Sequence, residues 1–289
     1  MLVQKLAEDT AKTCIFCGDN VFQKTARYPA ELIAEGRIQV GESCLFANTF
    51  SVGKYHPVVA LSKAHFLKLS EFTSGMLTDG LNAAQQFLLA VRKKDSSVTF
   101  ATVNANYLQP AGASLVHPHL QMLITPMPYS YHSRMLSAAR TYQAMNGSSY
   151  FDDLAGTEKK SGSRYIARRG NWHWIAAFSP MGSNEIMAIH CGESNFGILT
   201  EDDLRDLSYG ITRVLYLYER LGHLCFNFSL FSVLTDTPAD GFRCLLKIVS
   251  RQNLYPNYRN DDYFLQKMLQ SELIFNLPEE LADWMRDVF

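Results

Sequence analysis

The sequence lacks long apolar runs and any concentration of charge of one sign. Charged residues make up 19% of its 289 residues, and the formal net charge is −1. The densest basic stretch is Arg92-Lys93-Lys94, whereas binding to a nucleic acid normally needs a concentrated basic face. No apolar run approaches the roughly 18 residues of a membrane span. We therefore expect neither a nucleic acid nor a membrane as a partner.

Cysteine is also scarce, and only two of the six cysteines, Cys14 and Cys17, lie close together in the sequence. The first twelve residues carry acidic side chains and contain no apolar stretch, which is not the pattern of a secretory signal. Thiols in a chain of this kind are expected to stay reduced. These features together predict a cytoplasmic protein.

Two stretches of the chain repeat the same signals of secondary structure, about 128 residues apart. In each copy a glycine interrupts an alternation of apolar and polar residues, which predicts two strands joined by a tight turn. A helix-start signal and an amphipathic helix follow, and then two further strands. The predicted elements cover 46–66, 77–94, 98–106 and 117–125 in the first copy, and 174–190, 204–222, 224–233 and 242–250 in the second.

This repetition predicts an α+β protein made of two tandem half-units, each an antiparallel sheet with a packed helix. The same order of elements also arises by chance in α+β proteins. Between the copies, the segment 145–163 is polar and rich in Gly and Ser, which is typical of a flexible loop. We therefore predict an N-terminal domain over 1–144, a flexible loop over 145–163 and a C-terminal domain over 164–289.

The segment that indicates chemistry is a loop followed by His117-Pro118-His119-Leu120-Gln121. Gly112 permits the backbone to approach a ligand closely, and Ser114 adds a hydroxyl donor for a phosphate oxygen. On a strand, His117, His119 and Gln121 would share one face, because side chains alternate with a period of two. Two imidazoles and an amide beside this loop suit chemistry on a phosphate. A His-x-His pair alone also binds metals or packs in a core.

The pattern GxSxxHPHxQ resembles the active-site signature of the galactose-1-phosphate uridylyltransferases. These enzymes are the branch of the histidine-triad superfamily in which glutamine replaces the last histidine of the triad. Three further segments are similar: Cys14-x-x-Cys17 with Asn20, the stretch ANTFSV over 47–52, and SKAH over 62–65. The resemblance covers nearly the whole chain and implies two histidine-triad-like halves, of which the second lacks the catalytic motif.

This resemblance implies that His119 attacks the α-phosphorus of a nucleotide, and that a second substrate then takes the nucleotide from the histidine. A neutral imidazole is a competent nucleophile near pH 7. Gln121 and Ser114 would donate hydrogen bonds to phosphate oxygens, and the carbonyl of His117 would accept the other N–H of His119. The resemblance places six residues at the substrate: Asn48, Asn106, Gly112, Ala113, Ser114 and Gln121.

Cys14-x-x-Cys17 has the ligand spacing that zinc prefers, and a redox pair is the competing interpretation. No thioredoxin-like strand–helix–strand pattern surrounds the pair. The resemblance supplies two further ligands, His65 and His117, and a closed set of four implies a structural zinc ion. The second metal of some family members needs a histidine pair that the strand over 242–248 lacks, so we expect none.

Two basic residues of that last strand, Arg243 and Lys247, are four positions apart. On a strand this spacing places both side chains on one face. It predicts either a basic patch that faces an anionic substrate or an ordinary solvated face.

The resemblance implies transfer of UMP or AMP between a nucleotide sugar and a sugar 1-phosphate or phosphate. The enzyme would be a hexose-1-phosphate uridylyltransferase or a nucleotide-sugar phosphorylase. One alternative is a dinucleoside tetraphosphate phosphorylase, which shares a His-x-His-x-Gln strand. Another is a non-catalytic nucleotide-binding module. The base stays open, because the amide of Asn48 can satisfy either uracil or adenine. Members of the family often form homodimers, so a homodimer is also implied.

Overall fold

The structure, a computed structural model, describes residues 2–235, 241–255, 262 and 264–289. Ten strands lie in this described part. They are β1 (Ile38–Val40), β2 (Ser43–Ala47), β3 (Pro57–Ala60), β4 (Phe100–Tyr107), β5 (His119–Thr125), β6 (Tyr165–Arg169), β7 (Trp172–Ala176), β8 (Ile186–His190), β9 (Cys225–Val233) and β10 (Leu245–Arg251).

The same part of the chain contains eight α-helices. They are α1 (Leu2–Ala11), α2 (Asn20–Lys24), α3 (Ser74–Lys94), α4 (Ser130–Asn146), α5 (Tyr150–Ser161), α6 (Glu201–Arg220), α7 (Phe264–Lys267) and α8 (Pro278–Arg286). Short 3-10 turns precede α3 and α6, at Leu69–Glu71 and Phe196–Ile198. The predicted α+β class and the repeated order strand, strand, helix, strand, strand are confirmed.

All ten strands belong to one antiparallel sheet with the order β1-β2-β3-β5-β4-β9-β10-β8-β7-β6. The first five strands come from the first half of the chain, and the last five come from the second. The halves meet where β4 pairs with β9, from Phe100 opposite Val233 to Tyr107 opposite Phe226. Each half thus contributes five antiparallel strands and a packed helix, as predicted, and the two sets of strands form one continuous sheet. Pairing removes two edge strands whose backbone groups would otherwise lack partners. The predicted division of the chain into two domains, with boundaries at 144 and 164, stays a prediction.

One face of the sheet is covered by α3 and α6, which contact each other, and by α8. The main core lies under these helices and includes Leu45, Phe87 and Trp174. At Gly210, α6 lies so close to the sheet that an added Cβ would overlap the indole ring of Trp174. Packing on this face therefore depends on a glycine at one point of the helix.

Among the residues that the structure describes, the clusters on the opposite face of the sheet lie toward its two ends. A small cluster that includes Phe16 and Phe46 packs the N-terminal segment over β2 and β3. A second cluster, which includes Phe151 and Phe242, packs α4 and α5 against the strands of the second half. Between the two clusters, the central strands carry polar side chains. Four of them align across the sheet in the order Gln121, Asn104, Ser229 and Lys247.

The predicted flexible loop over 145–163 is wrong, because α5 occupies most of it. Three of its glycines and serines, Gly147, Ser149 and Gly162, are helix caps. Gly147 ends α4 in a left-handed conformation (φ 72°), and the hydroxyl of Ser149 accepts a hydrogen bond from Asp152 N at the start of α5. Phe151 is buried in the second cluster. Cap residues and loop residues have the same composition, so sequence alone did not separate them.

No helix in the ranges that the structure describes is long and apolar enough to cross a membrane.

Candidate active site and metal centre

Two cysteines and two histidines from three distant parts of the chain meet in one cluster. Cys14 and Cys17 lie between α1 and α2, His65 follows β3, and His117 precedes β5. One ligand atom from each lies within 4.8 Å of the others. His65 Nδ1 is 3.2 Å from Cys17 Sγ, and His117 Nδ1 is 3.4 Å from it and 3.7 Å from Cys14 Sγ.

These separations fit one tetrahedral ion. With bonds of about 2.3 Å to sulfur and about 2.0 Å to nitrogen, a tetrahedral ion holds its ligands roughly 3.3–3.8 Å apart. The four residues that sequence and resemblance named as metal ligands are thus brought together, and they form a Cys2His2 set that could hold a metal ion.

Hydrogen bonds around the cluster orient its ligands. The Nε2 atom of His117 is 2.8 Å from the carbonyl oxygen of Ser62, and that of His65 is 2.9 Å from Thr10 Oγ1. The Ser62 carbonyl can only accept, so His117 presents an unprotonated Nδ1 to the cluster. Phe16 N donates to Cys14 Sγ over 3.4 Å. Such outer partners are characteristic of metal-binding histidines and thiols.

Burial of the cluster disfavours the charged forms of Cys17 and His117. Burial, together with the neighbouring thiol of Cys14, raises the pKa of Cys17 to about 12. Burial likewise lowers the pKa of His117 to about 4, against the opposing effect of its bond to Ser62. A thiolate in this environment requires a nearby positive charge, which a divalent ion would supply.

His119 is the first residue of β5 and is 7% exposed. Its Nδ1 atom lies 2.8 Å from the carbonyl oxygen of His117, as the resemblance predicted. Because a carbonyl only accepts, Nδ1 carries the proton and Nε2 carries the free lone pair. Burial lowers the pKa of His119 below its usual range, against the effect of this hydrogen bond. The imidazole is therefore neutral at pH 7, which is the form that can act as a nucleophile.

One detail of the predicted strand is wrong. Because β5 begins at His119, only His119 and Gln121 share its polar face, and the side chain of His117 turns into the metal cluster instead. Pro118 ends the regular backbone pattern here, since it has no N–H to donate. Its carbonyl still accepts a hydrogen bond from Leu61 N over 3.0 Å.

Gln121 lies at the β5 end of the row of aligned polar residues, and it has partners on both sides. On one side, its Oε1 atom is 2.8 Å from His56 Nε2. On the other side, Asn104 donates from Nδ2 to the backbone carbonyl of Gln121 (3.3 Å) and accepts from Ser229 Oγ (2.8 Å). Sequence reasoning assigned no role to His56, Asn104 or Ser229. Polar residues that alternate with apolar ones on a central strand, as in β4, were the available signal.

The residues predicted to contact the substrate lie in the loops and strands next to Gln121, and they differ in burial and in hydrogen-bond partners. Asn48 lies between β2 and β3, and its Oδ1 accepts from Phe50 N over 2.9 Å. Asn106 accepts from Asn227 Nδ2 over 2.7 Å, and the same amide donates to the carbonyl of Ala111 over 2.9 Å. A residue of the second half therefore anchors the loop before β5.

In that loop, Gly112 has φ 87°, a conformation that favours glycine. Ala113 is buried and donates from its backbone N to Leu108 O over 3.1 Å. Ser114 is exposed, so its hydroxyl is accessible to a ligand.

Arg243 and Lys247 do not form a shared basic patch. Arg243 precedes β10, and its Nε donates to Asp152 Oδ1 over 3.0 Å. Lys247 Nζ lies 2.8 Å from Glu185 Oε1 and 2.7 Å from Tyr131 Oη. The charge of each residue is thus compensated by an acidic partner, and the prediction of a solvated face also fails for Lys247, whose side chain is 13% exposed.

A cavity of about 800 Å³ lies in the second half, between α4, β10 and the segment 270–275, and does not include His119 or Gln121. Arg251 lines it and donates from Nη1 to Asn227 Oδ1 over 2.6 Å. We place the candidate active site at His119 rather than in this cavity, because His119 combines a free ring nitrogen with the neighbouring amide of Gln121 and follows a loop with an exposed hydroxyl.

No family model matches the chain. A protein of Archaeoglobus fulgidus, described as uncharacterised, is 33% identical over 288 residues, which are 99% of this chain and 84% of that protein.

Several solved structures share the fold. A GalT-like protein of Arabidopsis thaliana has a TM-score of 0.76 at 21% identity, over 96% of this chain and 93% of that one. An ADP-glucose phosphorylase of the same plant has a TM-score of 0.77 at 20% identity, over 96% and 91%. A uridylyltransferase has a TM-score of 0.74 at 17% identity, over 86% and 84%. At these identities the similarity concerns the fold, and it confirms the fold that the motifs implied.

Proposed function

The chain belongs to the family of the Archaeoglobus fulgidus protein and has the fold of GalT-like proteins, and from this premise we propose that it is a nucleotidyltransferase. One observation carries the proposal. His119 is neutral, its proton is held on Nδ1 by the His117 carbonyl, and its free Nε2 lies on the same strand face as the amide of Gln121. This arrangement suits in-line attack on a phosphorus atom.

In the proposed reaction, the Nε2 lone pair of His119 attacks the phosphorus attached to the nucleoside. A phosphorus–nitrogen bond forms, the bond to the bridging oxygen breaks, and a sugar 1-phosphate leaves with that electron pair. An oxygen of the second substrate then attacks the same phosphorus, and His119 leaves as the neutral imidazole. Gln121 and Ser114 donate hydrogen bonds to the non-bridging oxygens, where negative charge increases during each step.

We propose a nucleotide sugar as the first substrate, and phosphate or a sugar 1-phosphate as the second. Two of the structures with this fold are named as an ADP-glucose phosphorylase and a uridylyltransferase, which supports this substrate class for the present chain. Asn48, Asn106, Gly112 and Ala113 would contact the nucleotide sugar. We also propose a homodimer in the cytoplasm.

The metal in the proposal is zinc. Cys14, Cys17, His65 and His117 would hold it, because two thiols and two imidazoles in a closed set match the ligands of structural zinc sites. When bound, the ion supplies a crosslink between the N-terminal segment and the residues that precede β5, and it has no open coordination position. The chain itself supplies every group in the transfer.

The test is single-turnover labelling. The purified protein is incubated without an acceptor, in separate reactions, with UDP-glucose, ADP-glucose and diadenosine tetraphosphate that are radiolabelled at the nucleoside-attached phosphate. We expect acid-labile, base-stable label on His119 from one nucleotide sugar, and none on the His119→Ala variant.

The other outcomes are decisive as well. Label from diadenosine tetraphosphate alone would contradict the nucleotide-sugar assignment and support a dinucleotide phosphorylase. No label from any substrate, in a folded and zinc-loaded protein that still binds nucleotide, would identify a non-catalytic nucleotide-binding module. Label that persists in His119→Ala would exclude His119 as the nucleophile.

A further inference from the structure

We propose that His56 is a positioning residue, which fixes the orientation of the Gln121 side-chain amide so that its N–H groups face the phosphate. The inference rests on the proposed function, and it deepens the account of the same site. His56 is 6% exposed and directly precedes β3, the strand that pairs with β5. Val58 of β3 lies opposite Gln121, so the side chain of His56 is within reach of that amide.

The protonation of His56 is determined by a backbone group. The N–H of Val52 points at His56 Nδ1, with an N–N distance of 3.2 Å. A backbone amide only donates, so Nδ1 must be the acceptor and must carry the lone pair. In the neutral ring the proton then resides on Nε2.

The orientation of Gln121 follows from this protonation. His56 Nε2 donates over 2.8 Å, so the atom that it contacts must be the amide oxygen of Gln121. The amide nitrogen of Gln121 therefore faces away from His56. With the reverse orientation, the Gln121 nitrogen would point a hydrogen at the Nε2–H, and two donors would face each other. His56 thus fixes the orientation of the Gln121 amide, just as the His117 carbonyl fixes the position of the ring proton of His119.

The loop between β2 and β3 is held by the same ring. The backbone carbonyl of His56 accepts from Asn48 N over 3.1 Å. The side chain of Asn48 uses its oxygen for Phe50 N, so its amide nitrogen faces the ring, 3.4 Å from Nδ1 and 3.2 Å from Nε2. His56 connects this loop, which we assign to the nucleotide, to the amide that we assign to the transferred phosphate.

The experiment compares three variants, His56→Leu, His56→Gln and His56→Asn, in the full-length zinc-loaded protein. Leucine removes the donor to Gln121. The longer amide of glutamine can place its nitrogen near the position of Nε2, whereas the shorter amide of asparagine reaches only the position of Nδ1. Asparagine and glutamine have the same chemistry and differ in reach, so they form a matched pair even if the leucine variant fails to fold.

The readout is the rate of single-turnover labelling at saturating nucleotide sugar, with the half-saturation concentration recorded separately. We expect His56→Leu and His56→Asn to lower the maximal rate by about 10- to 100-fold. Without the donor at Nε2, the side-chain amide of Gln121 is free to turn its oxygen, instead of its N–H groups, toward the phosphate. His56→Gln should recover most of that rate. In a Gln121→Ala background, we expect His56→Leu to cause little further loss, since the two residues act as one unit.

Two results would overturn the inference. The first is a wild-type rate in folded His56→Leu. The second is an equal loss for all three variants that persists in the Gln121→Ala background, because a purely structural role of the loop predicts that result. Long-range proton–nitrogen NMR of the wild-type protein gives an independent readout, with a proton expected on Nε2 of His56 and none on Nδ1. A wild-type protein that shows this tautomer but takes no label contradicts the proposed function and leaves the hydrogen-bond assignment intact.

Discussion

The Nδ1 atom of His119 lies 2.8 Å from the backbone carbonyl oxygen of His117, whose own side chain belongs to the metal cluster. One residue therefore serves two sites: its imidazole is a candidate ligand, and its carbonyl determines which nitrogen of His119 is free. A metal bound to the His117 ring restrains the backbone that holds His119. Stability of the cluster and the rate of transfer should consequently change together.

Loss of one metal ligand should lower both zinc content and stability. The wild-type protein should hold about one zinc ion per chain, and we expect Cys17→Ser to hold less. The same substitution should lower the Tm by about 10 °C, because structural metal binding contributes to the free energy of folding. Elemental analysis and calorimetry measure the two effects. The matched control is Cys191→Ser, since Cys191 is exposed and lies outside the cluster. Equal zinc content in the two variants would contradict the ligand assignment.

The amide of Gln121 should matter for the rate and not for the fold. We expect Gln121→Ala to slow nucleotide transfer by about 10²- to 10³-fold, as for the loss of one donor to a developing charge. Gln121→Glu should be no faster, because its carboxylate accepts from His56 but offers no N–H to the phosphate. Single-turnover kinetics measure the rates, and circular dichroism checks the fold. A fully active Gln121→Glu protein would rule out this role for the amide.

His132 should make the protein less stable in acid. It is 1% exposed among the rings of Phe100, Phe231 and Phe242, and burial lowers its pKa to about 4, from the ordinary value of 6.5. Between these two values the unfolded chain binds more protons than the folded one. The free energy of unfolding therefore falls as the pH drops from 6.5 toward 4, by roughly 3 kcal/mol at the lower end.

Urea unfolding of the wild type and His132→Leu at several pH values tests this expectation. Other buried histidines titrate in both proteins, so the difference between the two curves isolates His132. The variant should lose less stability below pH 6.5. Parallel curves would show that His132 does not titrate as its burial predicts.

The contact between α6 and the sheet should tolerate no side chain at Gly210. We expect Gly210→Ala to lower the free energy of unfolding by about 1–3 kcal/mol, because the new methyl group overlaps the fully buried ring of Trp174. Gly156→Ala is the matched control. Gly156 lies within α5, where an added Cβ meets no atom within 4 Å. Alanine should stabilise that helix by about 0.5–1 kcal/mol. Equal effects of the two substitutions would contradict this account of α6 packing.

Local sequence patterns predicted the secondary-structure elements well where an element is determined by residues close together in the sequence. Alternation and amphipathic spacing located four strands and one long helix in each half, the helices being α3 and α6. They failed at α5, because Gly147 and Ser149 were interpreted as loop residues and are caps. They failed again at Arg243 and Lys247, whose acidic partners lie far away in the sequence. Composition describes a segment, but it does not identify the residues that pack against it.

The sequence by itself determined the chemistry that is available: two thiols in a short spacing, a histidine and a glutamine two residues apart at the start of a strand, and two copies of one pattern. Only the tertiary structure decided how these groups are used. It brought His65 and His117 to the cysteines, aligned Asn104 and Ser229 beside Gln121, and placed His56 against the amide of Gln121. Each of these relationships joins residues from different strands or loops. Strand register and backbone hydrogen bonds set their geometry, and no pattern within a single segment specifies them.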